Sequence, residues 1–181
     1  GIVIVNPQKD GMPQMSERIR KMNAVRLRQR KLKATHCVTA DGCAVSLLAN
    51  LALPEDAKEA MSNGADGVGL FRSEFLFMNR PNFPSEDEQF ETYTRVVKAM
   101  RGKIVTIRTM DLGGDKLPSR EALESIGEDP DKPVANPSLG RRAIRFSLSH
   151  TDVFLTQLRA ILRAGATGRV RLLVPMLSWI T

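Results

Sequence analysis

Four short apolar runs, each followed or preceded by a stretch with helical spacing, constrain this chain more than any other feature. The runs cover residues 44–51, 67–71, 103–108 and 170–174. Between the first two, residues 54–63 read as a helix, with Pro54 near its first turn and Gly64 where a C-terminal cap belongs. Ser85-Glu86-Asp87-Glu88 forms a capping box, in which the Ser hydroxyl accepts from the backbone N–H three residues on and Glu88 reaches back. Phe90, Tyr93, Val97 and Met100 then mark the buried face of that helix, and Gly102 ends it. Residues 109–137 read as one long loop rich in Gly, Pro and Asp, and residues 138–148 as helical. Thr151 is expected to cap a further helix, with Leu155, Leu158, Ile161 and Leu162 as its buried face and Gly165 past its end.

Strands alternating with helices imply parallel strands joined by right-handed crossovers. Two architectures satisfy that rhythm, an open doubly wound sheet and a barrel. The dinucleotide-binding sheet requires a glycine-rich turn after its first strand. The turn here, Asn50-Leu-Ala-Leu-Pro-Glu55, has no glycine. The reading is therefore α/β, the first half of a (β/α)8 TIM barrel. A complete barrel takes about 250 residues and eight strands. Only four strands are counted from residue 44 onward, so the chain is expected to be a fragment.

Upstream, residues 1–7 read as a strand closed by Asn6-Pro7. Residues 14–34 read as one amphipathic linker helix, with Met15, Ile19, Met22 and Val25 recurring on it. The net charge is +7, and the excess lies between residues 13 and 36, where eight basic residues face Glu17 alone. A solvated helix face accounts for this. The segment has no aromatic residue to stack on a base, which argues against a nucleic-acid partner. A non-catalytic basic binding module stays open as an alternative. No apolar run approaches the roughly 18 residues of a membrane span. Two cysteines, Cys37 and Cys43, make no disulfide framework, so a cytoplasmic, reducing setting is expected. His36, Cys37 and Cys43 lack a fourth neighbour for zinc.

Functional groups in a (β/α) barrel sit where strands end. The second strand ends in Leu70-Phe-Arg72-Ser-Glu74 and the third in Ile107-Arg108-Thr-Met-Asp111. Each delivers an arginine to the same rim, and two guanidinium forks suit a phosphate. Gly113, Gly114 and Lys116 follow, and glycine lets backbone N–H groups approach an anion closely. The same residues would equally make structural ion pairs, Arg72 and Arg108 with Glu74 and Asp111.

The segment Gly64-Ala-Asp-Gly-Val-Gly-Leu-Phe-Arg-Ser-Glu-Phe-Leu-Phe-Met-Asn-Arg80 resembles the signature of the phosphoenolpyruvate-utilising enzymes, in the form of the Enzyme I family of the bacterial phosphotransferase system. Ile107-Arg-Thr-Met-Asp-Leu-Gly-Gly-Asp-Lys116 is similar to that family's next block, and Asn136-Pro-Ser-Leu-Gly-Arg-Arg-Ala-Ile-Arg145 to a third. A fourth resemblance covers Gln157-Leu-Arg-Ala-Ile-Leu-Arg-Ala and Arg171-Leu-Leu-Val-Pro-Met176. The resemblance implies that Arg72 and Arg108 bind the phosphate of phosphoenolpyruvate, with Arg142 near the same site. It implies no catalytic residue and no metal ligand in this fragment. The carboxylates for Mg2+, the arginine for the substrate carboxylate and the enolate-protonating cysteine would belong to later strands. The phosphoryl-accepting histidine would sit in a preceding domain, and His36 and His150 match no such motif.

By the same resemblance, residues 1–7 end the phosphohistidine domain, 8–40 form a basic helical linker and 41–181 a partial barrel. The intact protein would be a homodimer that hands phosphoryl to the phosphocarrier HPr in sugar uptake, and the fragment alone would be inactive. A barrel of the phosphoenolpyruvate synthase or dikinase type is the nearer alternative. Three departures stand out: Ser73 where Thr is usual, Arg141 where an aromatic or aliphatic residue is usual, and a longer insert over residues 117–135.

Overall fold

The computed structural model describes residue 5 and residues 12–113, 118–131 and 140–178. The strand expected over residues 1–7, Gly114, Lys116 and the first residues of the helix expected from 138 lie largely or wholly outside them. The chain divides into two units, Gly1–Val45 and Ser46–Thr181.

The first unit holds helix α1, Met12–Leu32. Its first turn has no acidic residue, and Glu17 pairs with Arg20 at 2.8 Å and with Lys21 at 3.7 Å. The apolar residues expected to recur along an amphipathic linker helix, Met15, Ile19, Met22 and Val25, are all exposed within the unit. Arginines and lysines interleave with the apolar positions on every side, so no continuous apolar face develops. A short hairpin follows, in which Val38 bridges Ala44 and both cysteines are free thiols.

The second unit is a parallel sheet with helices. Strands β1 (Leu48–Leu51), β2 (Gly67–Arg72), β3 (Ile104–Arg108) and β4 (Val170–Leu173) lie in the order β1-β2-β3-β4. All three pairings are parallel. The first strand starts at Leu48, later than residue 44, because Ala44 and Val45 belong to the hairpin. Gly67 is required where β2 meets β3, since a Cβ there would stand 2.7 Å from the Ile104 carbonyl oxygen.

Helices α2 (Asp56–Ser62), α3 (Glu86–Ala99) and α6 (Thr151–Gly165) pack on β1, β3 and β4, and α3 packs on both α2 and α6. The core lies between them: Leu51, Val68, Phe71, Val105 and Ile107 meet Ala57, Tyr93, Val96, Val97, Met100, Ala160, Ile161 and Ala164. Each large side chain buried here contributes about 1.5–3 kcal/mol. Glu86 clasps α3 to α6 by accepting from Arg159 Nε at 2.8 Å and Arg163 Nη1 at 2.7 Å.

Three expectations need correction. The long segment from residue 109 is not one loop. It contains helix α4 (Arg120–Ser125), whose N-terminus is capped by the Ser119 hydroxyl accepting from Ala122 N–H at 3.2 Å. Helix α5 spans only Ile144–Ser149, because Ala143 just before it has φ 50°, a conformation that breaks a helix. Thr151 is the first helical residue of α6 and not its cap, Gly165 is its last residue, and the buried face is rotated. Val153, Gln157, Ala160, Ile161 and Ala164 are buried, while Leu155 and Leu162 are 49% and 74% exposed. The two alanines let α6 approach α3 closely, and the bulkier leucines are turned outward.

The capping box at α3 forms as read. Glu88 N–H donates to Ser85 Oγ at 3.2 Å and Ser85 N–H to Glu88 Oε2 at 2.8 Å. The Ser85 backbone N–H, helped by the Arg80 guanidinium, pulls the Glu88 carboxyl from its ordinary 4.5 to about 2. A depressed folded-state value adds stability that is complete above the ordinary value and lost as pH falls from 4.5 toward about 2. Urea denaturation should therefore show the parent protein losing stability relative to Glu88→Gln across that window. Parallel pH curves for the two would contradict the box as the source.

Candidate phosphate site at the strand ends

Arg72 is the last residue of β2 and Arg108 the last of β3, and the two are Cα partners in the ladder. Because the strands are parallel, both side chains leave the sheet at the same rim. The two arginines are nevertheless held differently. Ser73–Leu76 form a 3-10 turn that folds Glu74 under the rim, where it is completely buried. Arg108 donates from Nη2 to Glu74 Oε1 at 2.5 Å, and its Nη1 lies 3.3 Å from Asp111 Oδ2. Asp111 is itself gripped in bidentate fashion by Arg142, from Nε at 2.8 Å and from Nη2 at 3.2 Å. Charges thus alternate along Glu74, Arg108, Asp111 and Arg142.

Arg72 takes no part in that chain. Its guanidinium carbon sits 5.1 Å from the centre of the Phe75 ring, and among the described residues no carboxylate lies within ion-pair range of it. The Nε–H groups of both Arg72 and Arg108 are buried and have no acceptor among the described residues. A buried charged donor without an acceptor costs about 1–3 kcal/mol or more, so both guanidinium groups carry a desolvation cost that the protein leaves unbalanced at Nε. Of the two structural pairs that the sequence left open, Arg108 makes both and Arg72 neither.

Backbone geometry brings Arg142 into place. Gly113 has φ +130°, and a Cβ on it would press to 3.0 Å against Cβ and Cγ of Arg142. Ala143 N–H donates to Leu112 O at 3.2 Å, tying the Arg142 segment to the β3 rim. Phe77, Met110, Leu112, Phe146 and Val153 form a second apolar cluster. Met110 and Leu112 of this cluster flank Asp111, and Phe77 follows the turn that carries Glu74.

Sequence reasoning identified Arg72, Arg108 and, through resemblance, Arg142. It missed the supporting groups. Gln157 and Ser73 are fully buried, and Gln157 Nε2 donates to Ser73 Oγ at 3.0 Å. The available signal was a glutamine at an apolar position of α6. Tyr93, read as core, is fully buried, and burial pushes its phenol well above the ordinary range. His36 is exposed. His150 is stacked on Phe146 at 4.6 Å, and its Nε2 lies 3.3 Å from Glu128 Oε1, which also accepts from Arg141 Nη1.

Among the described residues no group of three or more His, Cys, Asp or Glu is placed to hold a metal ion, and the two rim carboxylates are already committed to guanidinium groups. Among the same residues no helix is long and apolar enough to cross a membrane.

The asymmetry of the two arginines has a stability signature. Glu74→Gln strands a buried guanidinium on one remaining carboxylate and should cost about 3 kcal/mol. Arg72→Met leaves no carboxylate behind and should cost less than about 1 kcal/mol. Equal losses in urea denaturation would contradict the pairing described.

Comparison with known proteins gives a consistent result. Residues 26–181 match the family described as PEP-utilising enzyme, PEP-binding domain. A protein of Cupriavidus necator named phosphoenolpyruvate-protein phosphotransferase is 50% identical over 179 residues, 98% of this chain and 30% of that protein. Proteins of the same name from Geobacillus stearothermophilus and Staphylococcus carnosus are 43% and 41% identical, over 98% and 99% of this chain. The chain spans 29–30% of the length of these curated relatives. It belongs to the phosphoenolpyruvate-utilising enzymes and carries their phosphoenolpyruvate-binding domain.

Proposed function

We propose that this chain supplies the phosphate-gripping part of the substrate site in a phosphoenolpyruvate-protein phosphotransferase. The observation that carries this reading is Arg72 beside Arg108 at neighbouring strand ends, with Arg72 uncommitted to any carboxylate among the described residues. Arg108, fixed by Glu74 and Asp111, provides a donor of set direction. Arg72 provides charge that is not already spoken for. Phosphoryl transfer depends mainly on positioning and on stabilising charge spread over the equatorial oxygens. Two preset guanidinium groups meet that need.

The strand order β1-β2-β3-β4 supports the first half of a (β/α)8 TIM barrel. A doubly wound sheet reverses its strand order at the switch point. The succession of α2, α3 and α6, each packed on its neighbour, supports the same reading. In it, residues 1–7 close a phosphohistidine domain, 8–40 form the linker and 41–181 the partial barrel.

The intact protein takes phosphoryl from phosphoenolpyruvate onto its own histidine, releases pyruvate and passes the group to HPr, as a cytoplasmic homodimer serving sugar transport. Mg2+ in that enzyme takes its ligands from the later strands of the barrel. This chain by itself is inactive in transfer. The names of the relatives, at 41–50% identity, favour this reading over a synthase or dikinase barrel.

The test is transfer of label from phosphoenolpyruvate in the full-length protein, with Mg2+ and HPr present. Label should reach HPr through the full-length protein and should not appear on this chain alone. Arg72→Ala and Arg108→Ala should each slow transfer by about 100-fold or more. Unchanged transfer in folded Arg108→Ala would falsify the assignment.

A further inference from the structure

Below the arginine rim lies a set of buried polar side chains that phosphate binding does not itself require. Gln157 of α6 has no exposed surface, and each of its polar groups is engaged. Its Oε1 accepts from Met110 N–H at 2.8 Å. Its Nε2 donates to Ser73 Oγ at 3.0 Å and to the Tyr93 hydroxyl at 3.1 Å. The Met110 N–H can only donate, so the amide is oriented with its oxygen toward β3 and its nitrogen toward the two hydroxyls. Each hydroxyl then has one proton left. Ser73 gives its proton to the Arg108 carbonyl at 2.6 Å, and Tyr93 gives its own to Gln89 Oε1 at 3.1 Å. Gln89 Nε2 ends the relay on the Pro84 carbonyl at 3.0 Å. Every direction in the network is fixed, and no member can be turned without stranding another.

The places where this network grips the backbone are informative. Ser73 lies between Arg72 and Glu74, and Met110 lies between Arg108 and Asp111. One amide thus holds the chain immediately after β2 and just after β3, and through Ser73 it also reaches the carbonyl of Arg108. Packing alone does not call for a polar group here, because the rest of the buried face of α6 is Val153, Ala160, Ile161 and Ala164. A leucine would fill the volume, but it would leave the Met110 N–H without an acceptor and cut the tie between Ser73 and the Met110 backbone, so that the Ser73–Arg108 carbonyl bond alone would remain of the side-chain links between the two strand ends.

We propose that Gln157 is a positioning residue of the rim: it sets the separation and pitch of the β2 and β3 ends, and so the placement of the Arg72 guanidinium relative to that of Arg108. The inference rests on the phosphate reading of those two arginines. Ser73 is the arm through which Gln157 acts on Arg108, and threonine in that place keeps the Cβ hydroxyl that makes the link.

The experiment uses the full-length protein with Gln157→Leu, Ser73→Ala and Ser73→Thr, each checked for folding by urea denaturation. Ser73→Ala cuts a single link and serves if Gln157→Leu does not fold. Arginine Nε–Hε signals are recorded without ligand, and inorganic phosphate and phosphoenolpyruvate are then titrated. Gln157→Leu and Ser73→Ala should move the Arg72 and Arg108 signals and weaken phosphoenolpyruvate binding about tenfold. Ser73→Thr should restore both. In an Arg72→Ala background the effect of Gln157→Leu on binding should shrink well below tenfold, because coupled residues are not additive. Folded Gln157→Leu or Ser73→Ala with unmoved arginine signals overturns the inference, as does the same fold-loss in both backgrounds. A parent protein that binds neither phosphate nor phosphoenolpyruvate overturns the phosphate reading instead, and the arginine signals still decide whether Gln157 positions the rim.

Discussion

A guanidinium buried beneath a sheet rim must be paired, and the rest of the second unit is arranged around that requirement. Arg108 has a side chain only 15% exposed. Removing such an ion from water costs several kcal/mol, which is recovered only when good carboxylate geometry surrounds it. Glu74 supplies that geometry from the 3-10 turn after β2 and Asp111 from the segment after β3. Asp111 in turn binds Arg142 through two bonds, so three segments distant in sequence are joined by charge. Positive φ at Gly113 and Ala143 is the backbone condition for this convergence. Such conformations persist only where the surroundings over-determine them.

The bidentate Arg142–Asp111 pair is directional, and a second set of directional bonds adjoins it. The neutral network of Gln157, Ser73, Tyr93 and Gln89 is directional throughout and lies directly below the charged chain. Beneath that, the sheet and helices meet through Phe71, Tyr93, Met100 and Ile107, all fully buried. The layers run from apolar core through neutral polar network to paired charge. Arg72, stacked beside Phe75 and paired with no carboxylate among the described residues, stands at the end of this gradient. Its charge is the least compensated of the group, which suits it to meet an anion.

Much of this was legible in the sequence, and the exceptions have physical causes. The four strands and α3 were readable because each has a local signal: an apolar run bounded by turn residues, or a Ser–Glu pair that caps itself. The position of Arg72 and Arg108 at neighbouring strand ends was readable because each closes an apolar run. Helix α4 was obscured by Pro118 and the Gly- and Asp-rich residues around it, although Ser119 caps it. The face of α6 was misread because periodicity favours the largest apolar residues. Close packing against α3 instead selected Ala160 and Ala164, and the hydrogen-bond demand of the rim selected Gln157. The asymmetry between Arg72 and Arg108 was not readable at all. It depends on which way the 3-10 turn after β2 swings Glu74, a matter of tertiary geometry.

The central claim is that this rim recognises a phosphate and that Arg72 is the group left available for it. Calorimetry of the full-length protein with phosphoenolpyruvate and, separately, with pyruvate tests it most directly, because the two ligands differ in whether they carry the phosphoryl group. The account predicts that phosphoenolpyruvate binds at least about tenfold more tightly than pyruvate and that Arg72→Ala removes most of that preference. Equal binding of the two ligands, or a preference that survives Arg72→Ala intact, would contradict it.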